Sequence, residues 1–302
     1  MQEFQPRIES AVALVDSIEQ TRTRFEDMGY AVIQATLGLG TNTRQCFVPF
    51  ADGTGIHFIE RPRGILARVR RRRTLSPRFR RKTQTLGKHA LRFRRILSFE
   101  QPRPGLIDAV LRVPEHPQFI QSQSAGAQAV PADWIEAETS YSIGDETTAT
   151  TLLVPNRQPR ELPLVRVSET ALPFAPASTD HPNGVQGIFH LQIGVQDLDA
   201  ARPVYTELLG TDPYDHVDPV QRRAIFNLEN GEIELMPVDT SLEAGIREIS
   251  LRPGFPGHRV SYDPERTHGI AMRVTDISAK AALEPDEDEE LERTGISRSR
   301  RK

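Results

Sequence analysis

The feature that most constrains this chain is that it repeats itself. GIFHLQIGVQDLDAARPVYTELLG (187–210) reads as a strand, a short polar turn and an amphipathic helix closed by glycine. RIESAVALVDSIEQTRTRFEDMGY (7–30) is a looser copy: with Val195 set on Val15, Leu198 falls on Ile18 and Tyr205 on Phe25. Gly210 meets Gly29 after a one-residue gap, and His190 stands where the earlier copy has Ser10. A repeated unit of this size is one supersecondary element, unable to bury both of its faces alone. In the first copy the apolar residues 11–15 suit a buried strand. Ile18, Phe25 and Met28 keep near-helical spacing up to Gly29. AVIQATL, RQCFVPF and GIHFIE follow as strands, with ADGT as a turn. The later copy continues through RAIFNLE, the turn ENG and EIELMPV. Both copies read β-α-β-β-β.

Two fainter units flank the clear ones. GLIDAVLRVPEHPQFIQSQ (105–123) suits a strand and helix, with TTATTLLVP and LPLVRVS as closing strands around the turn NRQPRE. HGIAMRVTDISAKAAL (268–283) has a strand and helix opening without room to finish. The expected organisation is unit 1 over 7–62, a basic insertion over 63–104 and unit 2 over 105–170. Unit 3 follows over 184–240, a partial unit 4 over 250–283 and a disordered charged tail over 284–302. The fold class expected is α+β: repeated units forming curved mixed sheets around a cleft, with helices packed outside.

The net charge of -3 conceals an asymmetry. Residues 61–95 hold 13 arginines, 2 lysines and no acid, so the remainder of the chain sets 23 basic residues against 41 acidic ones. Such a run is either a solvated arm folding back on the acidic remainder or a weak, salt-sensitive contact with nucleic acid or an anionic surface. Arg70, Arg71, Arg72, Arg73, Arg80 and Arg81 are its candidate contacts. Cys46 is the single cysteine, so an internal disulfide and multi-cysteine metal sites are excluded; its strand setting suits a buried thiol. No apolar run reaches the length of a transmembrane helix, and MQEFQPRIES has no signal-type apolar core, so a cytoplasmic location is expected.

Gly40-Thr41-Asn42 with CFVPFADGTGIHFIE, the stretch LPFAPASTDHPNGVQGI and the stretch VQDLDAARPVYTELLG together resemble the vicinal oxygen chelate superfamily, and within it the glyoxalase-like branch. Gly40-Thr41-Asn42 followed by CFVPFADGTGIHFIE resembles the branch's second-to-fourth-strand region. LPFAPASTDHPNGVQGI, with Pro173, Phe174 and His181 to Gly184, resembles its linker. VQDLDAARPVYTELLG resembles the superfamily's helix opening. The resemblance implies one metal ligand from the first strand of a unit and one, usually Glu, from the fourth. By position, unit 3 offers His190 and Glu234, unit 1 offers Ser10 and His57, and unit 2 offers Asp108. His57, His190 and Glu234 together would make a 2-His-1-carboxylate set for one divalent ion (Fe, Mn, Zn or Ni). That set implies lyase, isomerase or dioxygenase chemistry on a small oxygen-rich substrate.

Two pairings of units are compatible with the sequence. If units 1 and 3 share a cleft, the three ligands meet. If units 1 and 2 are the pair, Ser10, His57 and Asp108 line a cleft too thin for a metal, and His190 is a hydrogen-bonded strand histidine. The functional alternatives are then a metal-free small-molecule binding protein or an interaction protein using its Arg-rich segment. The resemblance also implies a homodimer. His181 belongs to the turn HPNG, and Gly269 rather than His268 aligns with a ligand position.

Overall fold

The computed structural model describes residues 6–37, 44–61, 104–113, 134–143, 146–155, 161–217, 222–240 and 243–275. Gly40-Thr41-Asn42, the basic segment with Arg70, Arg71, Arg72, Arg73, Arg80 and Arg81, residues 114–123 and the tail 284–302 lie outside the described residues.

The repeat sets the architecture. β1 (Arg7–Val15), α1 (Ile18–Asp27), β2 (Ala35–Leu37), β3 (Gln45–Pro49) and β4 (Gly55–Glu60) form the first unit. β4 returns parallel to β1 and antiparallel to β3. β5 (Gly105–Val113) runs antiparallel to β1, and β6 (Trp134–Ile143), β7 (Glu146–Pro155) and β8 (Leu164–Val167) complete a second unit, with β8 parallel to β5. The eight strands lie in the order β2-β6-β7-β8-β5-β1-β4-β3. Just before β2, Ile33 exchanges both backbone hydrogen bonds with Phe47 of β3, at 2.9 Å each, so the sheet curls back on itself.

The second half repeats the plan. After the short α2 (Pro176–Thr179), β9 (Val185–Val195), α3 (Leu198–Leu209), β10 (Tyr214–Val217), β11 (Arg222–Leu228) and β12 (Gly231–Pro237) follow in turn. β12 lies parallel to β9. β13 (Gly245–Pro253) pairs antiparallel with the other side of β9, as β5 does with β1. β14 (Val260–Ser261) and β15 (Met272–Val274) finish a seven-stranded sheet, β10-β11-β12-β9-β13-β15-β14.

The fourth unit therefore opens at Gly245, not at 250 or at His268. Met272–Val274 lies parallel to β13, the place of a closing strand, and His268 sits in the turn before it. The register of β13 slips between Ile246 and Glu248 and again between Ser250 and Leu251. Those irregularities break the period-2 alternation by which GIREISLRP would have declared itself a strand.

α1 and α3 start on side-chain caps. Ser17 accepts from Gln20 N–H, and Asp197 accepts from Ala200 N–H at 3.0 Å. α3 ends at Gly210, whose φ of 66° is the left-handed conformation that closes a helix. Loss of the Asp197 cap is expected to cost about 1 kcal/mol, read as a lower urea midpoint for Asp197→Ala.

Each sheet has a helix-covered face. Ala11, Ala13, Ile56 and Phe58 meet Ile18 and Phe25 on the first; Leu191, Ile193, Phe226 and Leu235 meet Leu198 and Tyr205 on the second, all in one continuous core. Strand alternation then decides what the opposite faces carry. On the first sheet that face is mixed: Val12, Leu14, Phe47, Ile59, Val110, Leu164 and Leu152 form a second core cluster, and the buried polar residues Gln45, His57 and Arg166 share the face with them. On the second sheet it is polar.

The halves are joined by reciprocal turns. The β3–β4 turn sends Asp52 N–H to Gln186 C=O at 3.2 Å, and Thr54 Oγ1 accepts from Ile188 N–H at 2.8 Å. In return, Asn230 in the β11–β12 turn accepts from Ile8 N–H and donates to Ile8 C=O, both at 2.9 Å. Gly187 is required here, because a Cβ at that position would run into the Asp52 carboxylate.

Candidate functional site on the second sheet

Register brings the polar side chains together. His190 and Gln192 of β9 stand beside Glu232 and Glu234 of β12 on one side. Ser250 and Glu248 of β13 stand beside them on the other. β11 sets Ile225 beside Glu234, and Arg223, two residues earlier on the same face, reaches the Glu234 carboxylate, while β15 adds Arg273 opposite Ser250. Residues two apart on a strand share a face, so all eight project from the side opposite α3.

They form one chain of hydrogen bonds and ion pairs across five strands. Arg273 Nε donates to Ser250 Oγ at 3.1 Å, and Ser250 Oγ lies 3.3 Å from His190 Nδ1. His190 Nε2 lies 3.3 Å from Glu234 Oε2. Gln192 Nε2 and Arg223 Nη1 donate to Glu234 Oε1 at 2.9 and 3.0 Å. Glu232 Oε1 is 3.9 Å from His190 Nε2, and Arg273 also pairs with Glu248 at 2.7 Å. His190, Ser250 and Glu234 are buried, whereas the Arg273 side chain is 48 % exposed, so the network runs from the interior out to solvent.

Charge placement follows from these contacts. Burial alone would raise the Glu234 carboxyl. Hydrogen bonds from His190 and Gln192, with positive charge from His190 and Arg223, outweigh it and bring the pKa to about 2. Glu234 is thus an ionised acceptor.

His57 is elsewhere. It lies on β4 of the first sheet, fully buried, beside Phe47 and Val12, with Nε2 2.9 Å from Gln45 Oε1. Burial pushes its pKa down to about 3, so it is neutral. Ser10 pairs with Val110, and Asp108 pairs with Val12. The sheets are built from units 1 with 2 and units 3 with 4, so His57 does not join His190 and Glu234. The three-residue set expected from the resemblance is not assembled. Among the described residues, no group of three or more His, Cys, Asp and Glu side chains is placed to hold a metal ion.

The donor chemistry agrees with that geometry. A divalent ion at His190 and Glu234 would find a neutral hydroxyl, Ser250, as its neighbour on β13. It would also find guanidinium groups on β11 and β15, which are cations and cannot ligate. The residues present do not fit a metal.

Other candidates resolve as structural. Cys46 is buried in the main core, where burial pushes the thiol up to about 12. His181 fastens the linker to the first unit: Nδ1 accepts from Ala31 N–H at 2.9 Å and Nε2 donates to Pro49 C=O at 2.7 Å. Gln192, Arg223, Ser250 and Arg273 were missed in the sequence. For Arg223 a signal existed, since Ala224, Phe226 and Leu228 are the core-packed set of RRAIFNL and leave Arg223, together with the buried Ile225, on the Glu234 side.

No family model matches the chain, and no curated protein matches it. Solved structures do. A hypothetical protein from Staphylococcus aureus superposes with a TM-score of 0.64 at 8 % identity, over 90 % of this chain and 99 % of that one. A 2,2',3-trihydroxybiphenyl 1,2-dioxygenase from Sphingomonas wittichii gives 0.49 at 11 % identity, over 89 % and 90 %. Methylmalonyl-CoA epimerase from Mycobacterium tuberculosis gives 0.28 at 18 % identity, over 33 % of this chain and 94 % of that one. Fold, not chemistry, is what likeness at such identity conveys. β1 to β4 and β9 to β12 are each a β-α-β-β-β unit with first and fourth strands parallel and the first strand antiparallel to that of the next unit, the arrangement of the vicinal oxygen chelate fold. Among the described residues, no helix is long and apolar enough to cross a membrane.

Proposed function

We propose that this protein binds a small oxygen-rich molecule, without a metal, on the polar face of its second sheet. The observation that carries the reading is the contrast between two equivalent faces. The first packs a largely apolar cluster around the buried pairs His57–Gln45 and Arg166–Glu9, whereas the second holds an unbroken polar chain from Arg273 to Glu234. Buried polar networks of this kind are costly unless every member is paired, and they present fixed donors and acceptors to a ligand. Arg223 and Arg273 suit carbonyl or carboxylate oxygens, while Glu232 and Glu234 accept from hydroxyl groups.

A thermal-shift screen of small hydroxy acids, oxo acids and catechols, run with chelator present, tests this. A ligand that raises Tm for the wild type is expected to lose at least tenfold in affinity with His190→Ala and with Glu234→Gln. Equal binding to the wild type and both variants would place the ligand elsewhere and reject the reading.

A further inference from the structure

We infer that the guanidinium groups of Arg223 and Arg273 occupy the electrostatic role of a divalent ion at His190 and Glu234, and that they exclude such an ion. This rests on the polar face being the ligand site and specifies how that site handles charge.

Three observations converge. Arg223 Nη1 sits 3.0 Å from Glu234 Oε1, so the carboxylate already has its counter-cation, and an ion on Oε2 would be held against that guanidinium. On β13, directly opposite His190, stands Ser250, a poor ligand for a divalent ion. Its hydroxyl is engaged by Arg273 Nε at 3.1 Å and by His190 Nδ1 at 3.3 Å. The third donor position is therefore filled by a side chain locked to a second cation. His190 Nε2 and Glu234 Oε2 face each other at 3.3 Å and satisfy one another. Ligand oxygens at this face accordingly meet N–H donors, where a metallated site would offer them a Lewis acid.

The test titrates Co2+ alone into the full chain, followed by calorimetry and by visible d–d absorption. The wild type is expected to show no band and no saturable heat. The variant Arg223→Met with Ser250→His removes one cation and supplies an imidazole opposite His190. It is expected to take up one Co2+ per chain, at least tenfold more tightly than the wild type. Should that variant fail to fold, Arg223→Met alone is expected to gain tenfold over the wild type. Stoichiometric Co2+ binding by the wild type that His190→Ala abolishes would overturn the inference. So would a folded double variant that binds no better than the wild type, or an unchanged affinity in the single variant when only that variant folds. Because the probe is the metal alone, these outcomes are independent of whether the small-molecule screen succeeds.

Discussion

Replacing Asn230 with alanine is expected to destabilise the protein by roughly 2–5 kcal/mol, because two buried backbone groups lose their partners together. The Asn230 amide is buried and bonds across the join, to Ile8 N–H and Ile8 C=O. Alanine leaves both Ile8 groups in a setting where nothing replaces the amide. Arg7 and Glu229, paired alongside at 3.2 Å, are half exposed and contribute little by comparison. Urea unfolding of Asn230→Ala should show a lower midpoint with an unchanged slope. A loss below about 0.5 kcal/mol, the scale of an ordinary surface substitution, would mean that the join is held by packing alone.

The second large effect is on pH. His57 is fully buried and stays neutral down to about pH 3, while an imidazole in the unfolded chain has its ordinary value of 6.5. Above pH 6.5 neither state binds the proton and the stabilisation is fully present. As pH falls below 6.5 the unfolded chain takes up a proton that the folded one refuses. Stability then drops by about 1.4 kcal/mol per pH unit until the folded imidazole titrates. Between pH 7.5 and 5 this single group removes about 2 kcal/mol. His181, held down chiefly by burial, acts with the same sign. Glu234 does not interfere in that window: its stabilisation is complete above about 4.5 and is lost only as pH falls toward 2. Urea unfolding at the two pH values should therefore show a difference about 2 kcal/mol smaller in His57→Gln than in the wild type. Equal differences in the two proteins would contradict a neutral, buried His57.

The repeat was legible because its signals are local. Caps, helix spacing and the closing glycine are written within 24 residues, and both helices appear where those signals lie. The turns ADGT and ENG were legible as turns. That Thr54 and Asn230 reach across to the other half was not, since those bonds span 134 and 222 residues. The same gap explains the site. His190 and Glu234 were found through their place in one unit, and they meet because β9 and β12 belong to that unit. Whether His57 joins them stayed open in the sequence, because nothing local states which units share a sheet. Ser250 was hidden by the register slips in β13, and Arg273 by a closing strand of only three residues. The polar face is a product of alternation in five strands at once, and only pairing makes it visible.

The central claim is that ligand binding on this face proceeds through side chains and without a metal. Its most direct test is calorimetry of a ligand from the thermal-shift screen, against protein dialysed with EDTA and against the same protein resupplied with Mn2+ or Zn2+. Metal-free binding gives the same affinity in both, lost with Glu234→Gln. Binding that disappears on chelation and returns with the ion would contradict it.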